Sequence, residues 1–251
     1  QLFRHDANVE RLNISAERIG LPQVPEDVAM AAIEQLVELD QAWVPSAPGT
    51  SLYIRPFVIA TDVGMGVHAS HNYTFCIICF PSGAYYAEGI NPVRIYVEDE
   101  YIRAAPGLTG YTKCGGNYAA SIRAGERAEK AGYTQVLWLD GVHRKYIEEV
   151  GAMNVMFRIG DEIVTPELSG SILPGITRKS CLDVLRNEGY KVSERKISVD
   201  ELLEAMKNGT LKEAWGCGTA AVVSPLGELA YGDMKYTVNN FEIGEITKHL
   251  Y

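Results

Sequence analysis

Between residues 25 and 44 apolar positions recur at helical spacing. Ala29, Ala32, Ile33 and Leu36 fall on one face with Val37 beside them. Pro25 suits a first helical turn, and Pro45 and Pro48 close the segment. A helix is also expected over residues 8–19, after Leu2-Phe3-Arg4, which resembles the end of a strand. Residues 51–59, 73–80 and 93–97 are strand-like, bounded by the turn signals Pro81-Ser82-Gly83 and Asn91-Pro92. The pattern then changes. A helix is expected over 118–131, stopped by Gly132, and a strand over 134–139. Strands over 154–159 and 162–165 flank Gly160-Asp161, a hairpin signal. A helix over 176–187 ends at Gly189. It is followed by an extended segment 191–197, a helix over 199–207, and strands near 213–217 and 220–224. The mixture is α+β. A composition shift between Gly89 and Gly107 suggests two domains, residues 1–104 and 105–251.

Composition narrows what such a fold does. The chain has 251 residues, 47% of them hydrophobic, enough for one large or two modest cores. A net charge of −9 argues against nucleic-acid or acidic-membrane binding, which wants clustered Lys and Arg. No apolar run reaches the length of a membrane span. Five cysteines, an odd number, favour a reducing compartment, and a cytoplasmic location is expected. Cys76 and Cys79 have CxxC spacing within a strand-like segment. Residues three apart on a strand point to opposite faces, so they are expected as core cysteines rather than a disulfide or metal pair. The scattered histidines and carboxylates suggest no metal site.

The chemistry concentrates in Gly107-Leu108-Thr109-Gly110-Tyr111-Thr112-Lys113-Cys114-Gly115-Gly116-Asn117-Tyr118, one lysine among four glycines ahead of a helical pattern. Glycine allows φ > 0 and close backbone approach to a ligand. A partly desolvated lysine in such a loop can act as a nucleophile. GxxxxGK[ST] is not matched, because Lys113 precedes Gly115, and no GxGxxG follows a strand. On these residues alone, a glycine-rich turn with a solvated lysine is the better account of the stretch.

Lys113-Cys114-Gly115-Gly116-Asn117-Tyr118 resembles the lysine motif of branched-chain amino acid aminotransferases, pyridoxal-phosphate enzymes of fold type IV, the D-amino acid aminotransferase-like fold. The resemblance extends to residues 135–140 (Gln-Val-Leu-Trp-Leu-Asp), Glu149-Val150-Gly151-Ala152-Met153-Asn154, Leu173-Pro174-Gly175-Ile176-Thr177-Arg178 and Gly216-Cys217-Gly218-Thr219-Ala220. Upstream it includes Tyr53-Ile54-Arg55-Pro56-Phe57, Arg11 and Leu2-Phe3-Arg4. It implies a two-domain protein, a small N-terminal α/β domain and a larger cofactor-binding one. Relative to that family the chain lacks an N-terminal segment with a strand pair, and a domain so shortened is expected to expose a sheet edge.

The resemblance also assigns roles. Lys113 would hold the cofactor covalently and Glu149 would keep its ring nitrogen protonated, while Glu148 points elsewhere. Tyr118 would meet the phenolic oxygen. Leu173, Gly175, Ile176 and Thr177, at a helix start, would present amides to the phosphate, with Thr219 and Arg11 as further grips. Tyr53 and Arg55 would line the substrate pocket, and the amides of Thr219 and Ala220 would take the α-carboxylate. Each has an ordinary counterpart: a strand aromatic for Tyr53, an edge charge for Arg55, a helix-surface charge for Arg11, a solvated charge for Glu149. Two positions depart from some relatives. Ala221 and Ser224 stand where those carry a redox CxxC, and Ala152 replaces a threonine.

The activity implied is amino transfer between L-leucine, L-isoleucine or L-valine and 2-oxoglutarate, by a homodimer. A D-amino acid aminotransferase, an aminodeoxychorismate lyase or a non-catalytic cofactor-binding protein are the alternatives. Preference among the three amino acids and the direction of flux are not encoded in these motifs.

Overall fold

The computed structural model describes residues 1–83 and 90–251. The chain divides into two compact units, Gln1–Tyr85 and Tyr86–Tyr251.

The first unit contains α1 (His5–Arg18), α2 (Glu26–Leu39), a 3₁₀ turn at Gln41–Trp43, and the strands β1 (Ser51–Ala60) and β2 (Tyr73–Ser82). Leu2 and Phe3 are not a strand. Arg4, at φ 45°, turns the chain directly into α1. The helix expected over 25–44 ends at Leu39 and finishes as the 3₁₀ turn. Ala29 and Ile33 of its apolar face are buried with Val9 of α1. Asn13 fixes the connection between the helices by donating to the Val24 carbonyl and accepting from its amide, both at 2.9 Å. β1 and β2 pair antiparallel from Ser51↔Ser82 to Ala60↔Tyr73. Cys76 and Cys79 are half-buried rather than core residues, because this two-stranded sheet covers them incompletely. All five cysteines are free thiols.

The second unit runs β3 (Val93–Glu98), α3 (Gly115–Ala119), α4 (Ile122–Lys130), β4 (Gln135–Leu139), β5 (Ile147–Val150), β6 (Met153–Ile159), β7 (Glu162–Thr165), α5 (Ile176–Asn187), β8 (Lys191–Glu194), α6 (Val199–Lys207), β9 (Leu211–Gly218), β10 (Val222–Tyr231), β11 (Met234–Thr237) and α7 (Glu245–Leu250). β3, placed ahead of the expected division at residue 104, pairs in parallel with β4 and β10 and so belongs to this unit's sheet. Gly89, one end of the composition shift, lies outside the described residues. The helix expected over 118–131 is two helices. Ser121 donates its hydroxyl to the Tyr118 carbonyl at 2.7 Å, competing with the helical ladder at the break.

The sheet closes on itself. β3, β4, β5, β6, β9 and β10 pair successively around a ring, because β9 bonds both β6 and β10. β11 extends from β10, and β7 and β8 extend from β6. Period-two alternation sorts the faces. Leu137 and Leu139 of β4 join Val93, Ile95 and Val97 of β3 in the main core, while Val136 and Trp138 pack with Ala124 and Ala128 of α4. Closure leaves none of these six strands as an edge and fixes their ends relative to one another.

Candidate active site

The lysine loop is held by side chains within it. Asn117, buried in α3, donates to the carbonyls of Thr109 and Thr112, both at 2.8 Å, and accepts from the Thr109 hydroxyl at 2.9 Å. Two of the four glycines have a reason in the structure around them. Gly107 has φ 86°, and a Cβ on Gly110 would collide with the Ser171 carbonyl oxygen. Gly115 and Gly116 open α3 with free space beside them. Lys113 is exposed rather than desolvated, directly ahead of Cys114, the N-cap of α3. Its Nζ donates to the Tyr118 hydroxyl at 2.9 Å and lies 5.6 Å from that ring's centroid.

Glu149 lies on β5, one strand position before a two-residue turn at Gly151-Ala152. Gly151 has φ 55°, and a Cβ there would meet the Gln135 side chain at 2.7 Å. Its carbonyl accepts from Trp138 Nε1 at 2.9 Å, which pins the turn. Glu148 and Glu149 point apart, as strand neighbours must, yet both are buried. Glu148 accepts from the Ser171 hydroxyl. Glu149 pairs through Oε2 with the buried Arg103 guanidinium and accepts from Asn154 Nδ2 at Oε1, 3.1 Å away. Burial raises the Glu149 carboxyl to about 7; the Arg103 charge opposes this, Glu148 adds to it, and the Leu173 amide and the Lys113 charge oppose it. Glu148 is also raised, chiefly by burial.

Arg103 is absent from the sequence expectations, and an isolated arginine in a loop carries no pattern. The same guanidinium donates to the carbonyls of Ser171, at 2.7 Å, and Gly110, at 3.3 Å. It thus ties the lysine loop, the acid strand and the segment before α5 together. Asn117 was visible only as part of a motif. A cavity lined by Arg103, Thr112, Asn117, Tyr118, Glu149 and Leu173 brings the carboxylate and the phenol together. Ala152 also lines it.

Gly175 is the N-cap of α5, so the amides of Ile176 and Thr177 begin a twelve-residue helix with no side-chain cap. The register row Glu149↔Asn154↔Cys217↔Val223 runs across β5, β6, β9 and β10. Thr219 and Ala220 lie two and three residues beyond Cys217, in the turn joining β9 to β10, with Thr219 exposed. Val222 closes that turn at φ 53°, a conformation costly for a β-branched residue.

The remaining expected residues lie in the first unit. Arg11, on α1, is buried and donates to Asn8 Oδ1 at 3.0 Å. Tyr53 and Arg55 share a face of β1. Tyr53 stacks on its cross-strand partner Phe80 at 5.0 Å, and the Arg55 guanidinium lies 5.1 Å from the Tyr53 centroid.

The second unit suits pyridoxal phosphate on its own geometry. That group asks for an amine, an acid at its ring nitrogen, a partner for its phenolic oxygen and free amides for its phosphate. An exposed lysine bonded to a phenol, a buried carboxylate facing a cavity and an uncapped helix start are the donor set present.

Comparison with known proteins agrees. The model of the family Amino-transferase class IV matches residues 1–229. Branched-chain-amino-acid aminotransferase 2 of Bacillus subtilis (strain 168) is 55% identical over 250 residues, covering 100% of this chain and 69% of that protein. The crystal structure of the Escherichia coli branched-chain amino acid aminotransferase superposes with a TM-score of 0.82 at 29% identity, over 99% of this chain and 77% of that one. A branched-chain amino acid aminotransferase from T.th., complexed with N-(5'-phosphopyridoxyl)-L-glutamate, gives a TM-score of 0.79 at 25% identity, over 99% and 76%.

Proposed function

Because the chain belongs to the class IV amino-transferase family and has the fold type IV architecture, we propose that it is a branched-chain amino acid aminotransferase, moving the amino group between L-leucine, L-isoleucine or L-valine and 2-oxoglutarate. The supporting observation is one cavity that brings the Tyr118 phenol, to which the exposed Lys113 donates, together with the buried, arginine-paired carboxylate of Glu149. The alternatives within the fold are not favoured: the relatives carry branched-chain names.

Pyridoxal phosphate, when bound, supplies an aldehyde and a ring that accepts electrons. In this reading Lys113 Nζ is the covalent anchor and then the base. It would take a proton from the substrate α-carbon and return it two bonds away, to the carbon on the other side of the amino nitrogen. The Tyr118 hydroxyl, already bonded to that nitrogen, would serve the phenolic oxygen. Glu149, whose charged form Arg103 favours against burial, would hold the proton on the ring nitrogen. The amides opening α5 and the Thr219 hydroxyl would serve the phosphate, with Leu173 and Gly175 shaping that cradle. The amides of Thr219 and Ala220 would serve the substrate carboxylate. The family resemblance alone assigns Arg11 to the phosphate and Tyr53 and Arg55 to the substrate. We place the enzyme in the cytoplasm as a homodimer. Val63, Met65 and Val67, fully exposed in the loop between β1 and β2, are apolar surface for a second copy to cover.

The test is direct. Pyridoxal phosphate added to the chain should give an absorbance band that borohydride removes. L-leucine with 2-oxoglutarate should then yield glutamate. Cofactor binding without turnover of any branched-chain amino acid would leave a non-catalytic protein.

A further inference from the structure

Asn154 sits where three parts of the site meet. It faces Glu149 across the β5–β6 ladder, is buried, and follows closely on the turn that ends β5. Its single amide nitrogen donates twice, to Glu149 Oε1 at 3.1 Å and to the Leu173 carbonyl at 2.9 Å. A flipped amide would aim an oxygen at two acceptors, so this orientation is the one the network allows. Its own Oδ1 occupies the space over Gly175. A Cβ at Gly175 would collide with that oxygen, which explains why the N-cap of α5 is glycine. One side chain therefore touches the acid strand and, on its other side, the segment that starts α5.

We propose that Asn154 is a positioning residue that locks the Glu149 carboxylate to the start of α5, so that the group serving the ring nitrogen and the amides serving the phosphate stand at one fixed separation. This rests on the site reading above. Arg103 and Asn154 each take one oxygen of the carboxylate, and the Leu173 amide also favours its charged form. Arg103 supplies charge. Asn154 supplies direction, because its other bond is to the backbone at Leu173. A donor to a carboxylate also favours the ionised form. Removing it should weaken the hold on the ring nitrogen and push Glu149 toward its neutral form.

Asn154→Leu keeps the volume and removes both donors. Thr165→Val is the control. Its hydroxyl bonds the Val155 carbonyl at 2.7 Å, one residue along β6 from Asn154, so it is spent on backbone rather than on Glu149. Affinity for pyridoxal phosphate is titrated from pH 5 to 9, alongside the analogue with carbon in place of the ring nitrogen. Loss of a hydrogen bond to a charged group should lower pyridoxal phosphate affinity about ten- to a hundredfold. The acid limb of the affinity profile should move up by roughly one to two pH units, since tenfold corresponds to one unit. The carbon analogue, which offers Glu149 nothing to bind, should lose clearly less. Thr165→Val should lower the unfolding midpoint without moving the limb.

Equal losses for both ligands, or an unmoved limb, would overturn the proposal and leave Asn154 a packing residue. A wild-type chain that binds neither ligand would instead overturn the reading on which it rests. If Asn154→Leu does not fold, Asn154→Ser, which keeps one short donor, takes its place. Its limb must then shift in the same direction.

Discussion

Replacing Arg103 with methionine should change the pH at which the cofactor-free protein stops losing stability. Glu149 carries an ordinary value of 4.5 when unfolded and about 7 in the folded chain. The folded state therefore binds more protons between those values, so stability falls as pH rises through that window and levels off above it. The cost reaches roughly 3 kcal/mol at 1.36 kcal/mol per unit. Arg103 is the charge that keeps the upper edge near 7, because it opposes burial. Removing one partner of a buried ion pair costs about 3–5 kcal/mol if the other stays charged. The carboxyl avoids that cost by keeping its proton, which moves its value up by roughly two to three units, to about 9 or 10.

Urea unfolding between pH 5 and 10 reads this. The wild-type midpoint should decline and flatten near pH 7. That of Arg103→Met should go on declining by another two units. At pH 8 the wild-type carboxylate is mostly ionised and that of the variant is not, so pyridoxal phosphate affinity should differ about ten- to a hundredfold there and converge near pH 10. Arg103→Lys, which restores a charge without the fork that reaches Ser171 and Gly110, should flatten between the two. An Arg103→Met curve that flattens at the wild-type pH would refute the reasoning, since Glu149 would then be governed by something other than this pair.

Lys113→Ala should abolish amino transfer while the exposed position leaves unfolding unchanged; turnover near the wild-type rate would remove Lys113 from the chemistry. Thr219→Val should weaken pyridoxal phosphate about ten- to a hundredfold by deleting one bond to a charged group, and amino acid binding less, because the backbone amides remain. Asp140 is pushed up by burial, but the amides of Tyr146, His143, Lys145 and Val142 outweigh this and hold it at about 2. Its contribution of about 2 kcal/mol is present above pH 3.8 and lost as pH falls toward 2. Asp140→Asn should erase that acid-side step in the unfolding curve.

Much of this fold is local, and the local part was legible. α5 begins and ends where periodicity and Gly189 place it, α6 spans the expected 199–207, and the β6–β7 hairpin turns at Gly160-Asp161. Gly110 and Gly175 belong to motifs, yet their reasons are contacts with Ser171 and Asn154 that lie far along the chain. β5 was not anticipated because two of its four residues are glutamates, which pattern reasoning assigns to solvent. They are buried because Ser171, Arg103 and Asn154 come to meet them. β11 and α7 were also missed. α7 is a six-residue helix whose start is held by Glu213, from β9, bonding the amides of Ile246 and Thr247.

The step that builds the site lies furthest from any local pattern. β9 returns from a separate stretch of chain to pair with β6, and only that pairing closes the ring. It also sets Cys217 opposite Asn154, and so brings the turn with Thr219 and Ala220 into the row that starts at Glu149. A hydrophobic strand signal near residues 213–217 is satisfied equally by any neighbour. What selects β6 is that Trp215, Gly216 and Cys217 face Met156, Val155 and Asn154 in register, with Gly216 leaving room for Met153 at a distance no Cβ would allow. An acid, an uncapped helix start and a hairpin tip can therefore be widely separated in sequence and still be set by one ladder. A substitution that shifts this register, such as Gly216→Val, should disturb all three at once rather than any one of them alone.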